Sequence, residues 1–110
     1  MAKVYITQES PGRNFLAAKK FGELIPVLPG NAQIVLSAAP IIRKLRSVLR
    51  NFNDDDFLLL SGDPSIMGVA VAIATEINNG RATLLKWDNR EHDYYDVWID
   101  LYDEGEADDD

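Results

Sequence analysis

The sequence contains no cysteine, which excludes disulfides, thiolate zinc or iron–sulfur ligation, and cysteine nucleophiles. It has one histidine, His92, inside the polar stretch Asp88-Asn89-Arg90-Glu91-His92-Asp93. A solvated loop position is the simplest reading there, and no metal constellation accompanies it. Neither the phosphate-loop pattern nor the dinucleotide glycine fingerprint occurs, and no serine sits in a Gly-x-Ser-x-Gly elbow. No catalytic residue, metal or cofactor is therefore assigned. Long apolar runs are also lacking. The longest, Phe57 to Ile77, is broken by Ser61-Gly62-Asp63-Pro64-Ser65, and the charge and the proline argue against a bilayer span. The N-terminal apolar run Val4-Tyr5-Ile6 is too short for the core of a signal peptide. A cytoplasmic protein is expected.

What is present suits one globular unit. The 110 residues are 46% apolar and 26% charged, enough to bury one core but too few to divide into two. Residues 1–102 are read as a single domain. Residues 103–110, with six acids in eight positions, are read as a disordered acidic tail. The net charge of −7 is unevenly placed: residues 1–53 carry eight basic and two acidic side chains, residues 54–110 three and sixteen. A net negative field disfavours direct DNA, RNA or anionic-membrane binding and favours basic protein surfaces.

Periodicity gives an element order of strand, helix, strand, helix, strand, helix and two strands. Lys3–Thr7 reads as the first strand. Asn14 is placed to cap a helix with Ala17, Phe21 and Leu24 on its apolar face. Ile25–Pro29 holds two prolines and reads at best as a short edge strand, whereas Gln33–Ser37 reads as an interior strand. Pro40 then opens a helix whose Ile41, Leu45, Val48 and Phe52 share one face. Phe57–Leu60 has the continuous apolar character of a strand covered on both faces. Asp63 and Pro64 start the next helix and Gly80 stops it. Ala82–Trp87 and Tyr94–Leu101 form a hairpin in which Tyr95, Val97, Ile99 and Leu101 are expected to point inward and Asp96, Trp98 and Asp100 outward. The predicted fold class is an α/β single-domain sandwich with a mainly parallel sheet, about three helices and a C-terminal antiparallel hairpin.

In such sheets ligands bind beyond the carboxyl ends of the strands. Three junctions there supply candidate ligand-binding residues: Arg13 and Asn14 from the first, Ser37 from the second, and Ser61, Gly62, Asp63 and Ser65 from the third. The last group has a sufficient structural explanation, since Asp63 caps a helix and Pro64 occupies its first turn. Two further groups are candidates for binding a partner. Arg43, Arg46 and Arg50 share one side of a helix, within the stretch Leu24–Asn53 that has no acidic side chain. Trp98 lies between Asp96 and Asp100, where an exposed aromatic would anchor a partner and the acids would steer it.

The segment Phe57-Leu58-Leu59-Leu60-Ser61-Gly62-Asp63-Pro64, the helix ending Asn78-Asn79-Gly80-Arg81 and the strand Leu84-Leu85-Lys86-Trp87-Asp88 resemble a group of small uncharacterised α/β proteins encoded by bacteriophages. The resemblance implies a location in the cytoplasm of an infected bacterium and no particular chemistry. Three functions follow as expectations. The favoured one is an accessory protein that binds a host or phage protein without catalysis. The alternative is a nucleotide or small-metabolite domain, either a binder or an enzyme, with its site at the strand ends. The third is an acidic mimic of nucleic acid built from Asp93, Asp96, Asp100 and the tail. Exposed edge strands are compatible with a homodimer.

Overall fold

Five strands form one sheet in the order β2-β1-β3-β4-β5, and the computed structural model that shows it describes residues 2–103 and 105. The strands are β1 (Lys3–Gln8), β2 (Glu23–Leu28), β3 (Phe57–Leu59), β4 (Arg81–Asp88) and β5 (Asp93–Asp100). The first four are parallel, and β5 returns antiparallel along β4. Two α-helices, α1 (Ala39–Leu49) and α2 (Pro64–Ile77), accompany a 3-10 helix over Leu16–Lys20. Most of the predicted tail, 104 and 106–110, lies outside the described residues.

The alternation of side chains along the strands divides the core in two. Tyr5, Leu58 and Leu84 stand side by side on one face, packed with Leu45 and Leu49 of α1 and Ile66, Ala70 and Ile73 of α2. Val4, Ile6, Leu59 and Leu85 occupy the opposite face under Ala18, Phe15 and Phe21. The central strand β3 is thus covered on both sides, as its unbroken apolar sequence requires. Phe52, just beyond α1, lies 5.9 Å from the Tyr5 ring, centroid to centroid, so the apolar stripe of that helix continues past its last turn.

Several sequence signals act as read. Asp63 caps α2, its Oδ1 accepting from Ser65 N at 2.9 Å. Gly80, with φ +85°, follows the helix in the left-handed conformation. On β5, Val97 and Ile99 point to the helical face and pack there, whereas Trp98 is exposed.

Other expectations are corrected. Gln33–Ser37 forms no strand: Val35 and Leu36 are 73% and 99% exposed. Both edges of β1 are taken, by β2 and β3, leaving an additional parallel strand no place beside it. The segment is instead part of the loop between β2 and α1, whose first part is held by Gln8 Nε2 donating to the carbonyls of Pro29 and Ala32 at 3.1 and 2.9 Å. The helix predicted after Asn14 contracts to the 3-10 helix Leu16–Lys20, and Leu24 belongs to β2. Gly22 explains the early stop, because Glu23 N donates to Ala2 O at 3.1 Å and a Cβ on Gly22 would overlap that same carbonyl. The approach brings Glu23 into register with Lys3, and β2 grows from there. Pro26 is accommodated because β2 is an edge strand, where its missing N–H faces outward. Tyr95 and Leu101 are exposed rather than inward. Tyr95 lies past the helices, its ring under the Lys86 ammonium, and Leu101 follows the end of β5.

Candidate functional site

The connections fix where the sheet can be entered. From β1 the chain moves outward to β2 over the face carrying the 3-10 helix, and from β3 it moves the other way to β4 through α2 on the helical face. Adjacent strands whose connections diverge leave a crevice beyond their carboxyl ends. Here that crevice lies between the loop after β1 and the loop after β3, where Arg13, Asn14 and the Ser61 turn were expected.

The β3 side of the crevice is stitched shut. Thr7 Oγ1 donates to Ser61 O at 2.6 Å and accepts from Ser61 N at 2.9 Å. Gln8 Oε1 accepts from Asp63 N at 2.8 Å, and the hydroxyls of Ser10 and Ser61 are 3.0 Å apart. Gly62, with φ +96°, lies against the Gln8 side chain, which a Cβ would overlap. Ser61 is buried, and Ser65 is exposed with its N–H on the Asp63 carboxylate. These four residues hold β1, β3 and α2 together. Ser37 is exposed, and its hydroxyl accepts from Ala39 N at 3.1 Å, opening α1. It lines neither of the clefts described next.

The β1 side is open. Ser10-Pro11-Gly12-Arg13 is a tight turn closed by Arg13 N on Ser10 O at 3.1 Å, with Gly12 at φ +77°. Proline at the second position and a left-handed glycine at the third define a type II turn. It delivers Arg13 and Asn14 onto the face opposite the α-helices, between two clefts that share both residues. The larger, about 450 Å³, lies over the β1 and β2 side against Ile6, Leu24 and Pro26, with Glu9 at its wall. The smaller, about 260 Å³, is bounded by Gly12, Arg13, Asn14, Trp87 and Tyr94. Trp87 and Tyr94 are cross-strand neighbours, their rings edge to face at 5.0 Å. Sequence reasoning found Arg13 and Asn14 but missed Trp87 and Tyr94. The hairpin pattern signalled their pairing, not the loop above them.

Tyr94 is only 4% exposed, and its hydroxyl has no hydrogen-bond partner. Burial raises its pKa, and the nearby Arg13 guanidinium partly offsets that rise. The Asn14 Oδ1 accepts from Leu16 N at 2.8 Å and the Trp87 indole N–H donates to Asn89 Oδ1 at 2.8 Å. His92, at φ +52°, sets its ring against Trp87 at 6.3 Å. Lys20 of the 3-10 helix pairs with Asp93, holding that carboxyl below the usual range.

The two groups expected to meet a partner lie on opposite faces of the sheet. Arg43 and Arg46 are exposed on α1 and Arg50 is exposed at its C-terminal cap, with Arg46 paired at 2.8 Å to Glu76 of α2. Asp96, Trp98 and Asp100 stand on the other face of β5, opposite Leu85, Thr83 and Arg81 respectively. Trp98 is 52% exposed and β5 forms the sheet's edge. Among the described residues, no three His, Cys, Asp or Glu side chains are grouped to hold a metal ion, and no helix is long and apolar enough to cross a membrane.

No curated protein and no solved structure matches the chain. The family described as phage Pam3 gp32-like protein matches residues 2–101, a span that takes in every strand, both α-helices, both clefts and the Trp98 face. This agrees with the likeness of the Phe57–Pro64 segment and the last hairpin to small phage proteins, and the chain belongs to the phage Pam3 gp32-like protein family.

Proposed function

We propose that this phage protein acts in the cytoplasm of the infected bacterium by binding, without catalysis, a basic surface on a host or phage protein through the outer face of β5. The observation that carries the reading is Trp98, half exposed on an edge strand with an acid two residues to either side. A tryptophan left in water forgoes a large area of apolar burial, and such residues dominate binding energy when a partner covers them. Asp96 and Asp100 flank it on the same face and would speed the approach of a positively charged partner. The outward N–H and C=O groups of β5 offer a further mode of attachment by strand addition. A second copy of this chain is the poorer occupant, because antiparallel pairing of two β5 strands sets acids against acids. The nucleic-acid mimic is less well supported, since Asp93 is already neutralised by Lys20.

The test is parallel affinity capture from infected-cell lysate with the wild-type chain, Trp98→Ala and the Asp96→Asn/Asp100→Asn double variant. One partner held by the wild type, lost with Trp98→Ala and weakened by the double variant supports the reading. Recovery of the same proteins by all three contradicts it.

A further inference from the structure

We propose that the smaller cleft, between the Ser10–Arg13 turn and the Trp87–Tyr94 pair, binds a small oxyanion, the carboxylate or phosphate group of a low-molecular-weight ligand. The Tyr94 hydroxyl is deeply buried yet has no partner. Leaving such a group unpaired costs free energy that a native fold seldom accepts without a use. Its neighbour is the Arg13 guanidinium, which can only donate. Were Arg13 to donate to the phenol oxygen, the phenol proton would still need an acceptor.

No carboxylate side chain stands in the other walls to take it. Asn14 has its oxygen engaged by Leu16 N–H and carries two amide hydrogens that can donate. The Trp87 indole is a donor already spent on Asn89. No acidic side chain bounds this cleft, and Glu9 belongs to the larger one. Arg13 makes no ion pair among the described residues. Arg13 and Asn14 thus bring donors to a space of about 260 Å³ that Tyr94 and the apolar Trp87 ring also line, with the Tyr94 hydroxyl itself buried. An oxyanion is the group whose lone pairs match such a set. Burial keeps the phenol protonated and able to donate at neutral pH.

The experiment is an NMR titration of the full chain with inorganic phosphate, phenyl phosphate and benzoate, using benzamide as the uncharged control. The expected result is saturable shifts at the Trp87 indole N–H and the Arg13 and Asn14 amides with at least one anion and none with benzamide. Binding of either phosphate would assign the site to phosphate groups, and binding of benzoate alone to carboxylates. Arg13→Gln should weaken binding about tenfold or more, the loss expected for a charge-assisted hydrogen bond. Tyr94→Phe should weaken it while the chain remains folded, and Trp98→Ala should leave it unchanged. Absence of saturable shifts with all three anions at ~10 mM, or equal affinity in Arg13→Gln, would overturn the proposal.

Discussion

Thr7 closes the junction of β1 and β3 on Ser61 with one hydroxyl, which donates to the Ser61 carbonyl at 2.6 Å and accepts from the Ser61 amide at 2.9 Å. The side chain thereby extends the β1–β3 ladder past its last backbone pair, Ile6 and Leu59. Both residues are fully buried. Thr7→Val keeps the shape but leaves two backbone groups without a partner, and should cost about 1–3 kcal/mol. Urea denaturation checks this, with the lowered midpoint expected at an unchanged slope.

Gly62→Ala should also destabilise, by more than about 1 kcal/mol, since a left-handed backbone and a collision with Gln8 coincide. The same denaturation series measures it. Ser65→Ala, at an exposed hydroxyl on the same turn, should be close to neutral.

Tyr94→Phe is expected to behave unlike most substitutions at buried positions. Removing a hydroxyl that has no partner should leave stability within about 1 kcal/mol of wild type, or raise it. A loss well beyond that, read by thermal melting, would mean that the hydroxyl is already satisfied inside the protein and would count against the oxyanion site.

Two surface carboxylates should make the fold sensitive to acid. Asp54 is held below its ordinary value near 3.8 by hydrogen bonds from Arg81 and Asn78, and Asp93 by Lys20. A carboxyl whose pKa is lower in the folded state contributes stability above the unfolded value and loses it as pH falls through the folded one. Asp54→Asn and Asp93→Asn should therefore lower stability slightly at neutral pH and flatten its decline in acid. Urea midpoints compared across that range check the sign. The effects should be small because both pairs are exposed.

The parts of this fold legible in the sequence are those set by local chemistry. Asp63-Pro64 favours a helix start by its own chemistry, the stripe from Ile41 to Phe52 specifies a buried helix face, and the unbroken Phe57–Leu60 specifies a central strand, observed over Phe57–Leu59. Gln33–Ser37 has the apolar composition of an interior strand, but no local signal says that the sheet lacks room for it, both sides of β1 being taken by β2 and β3. The two prolines mark Ile25–Pro29 as edge material, in agreement with β2, whereas the start of that strand at Glu23 depends on Gly22 bringing the chain beside Ala2. The candidate site divides in the same way. Arg13 and Asn14 were found because junctions after strands gather ligands, and Ser61 and Gly62 were read from the same rule although they serve the β1–β3 joint. Trp87 and Tyr94 reach Arg13 only through the sheet order, which no periodicity encodes.

The most direct test of the partner reading is hydrogen exchange on the wild-type chain with its captured protein bound. Added protection concentrated on the backbone amides of Asp93–Asp100, absent when Trp98→Ala is mixed with the same protein, is the predicted result. Protection confined to α1, or to the loop after β1, would contradict docking on the β5 face.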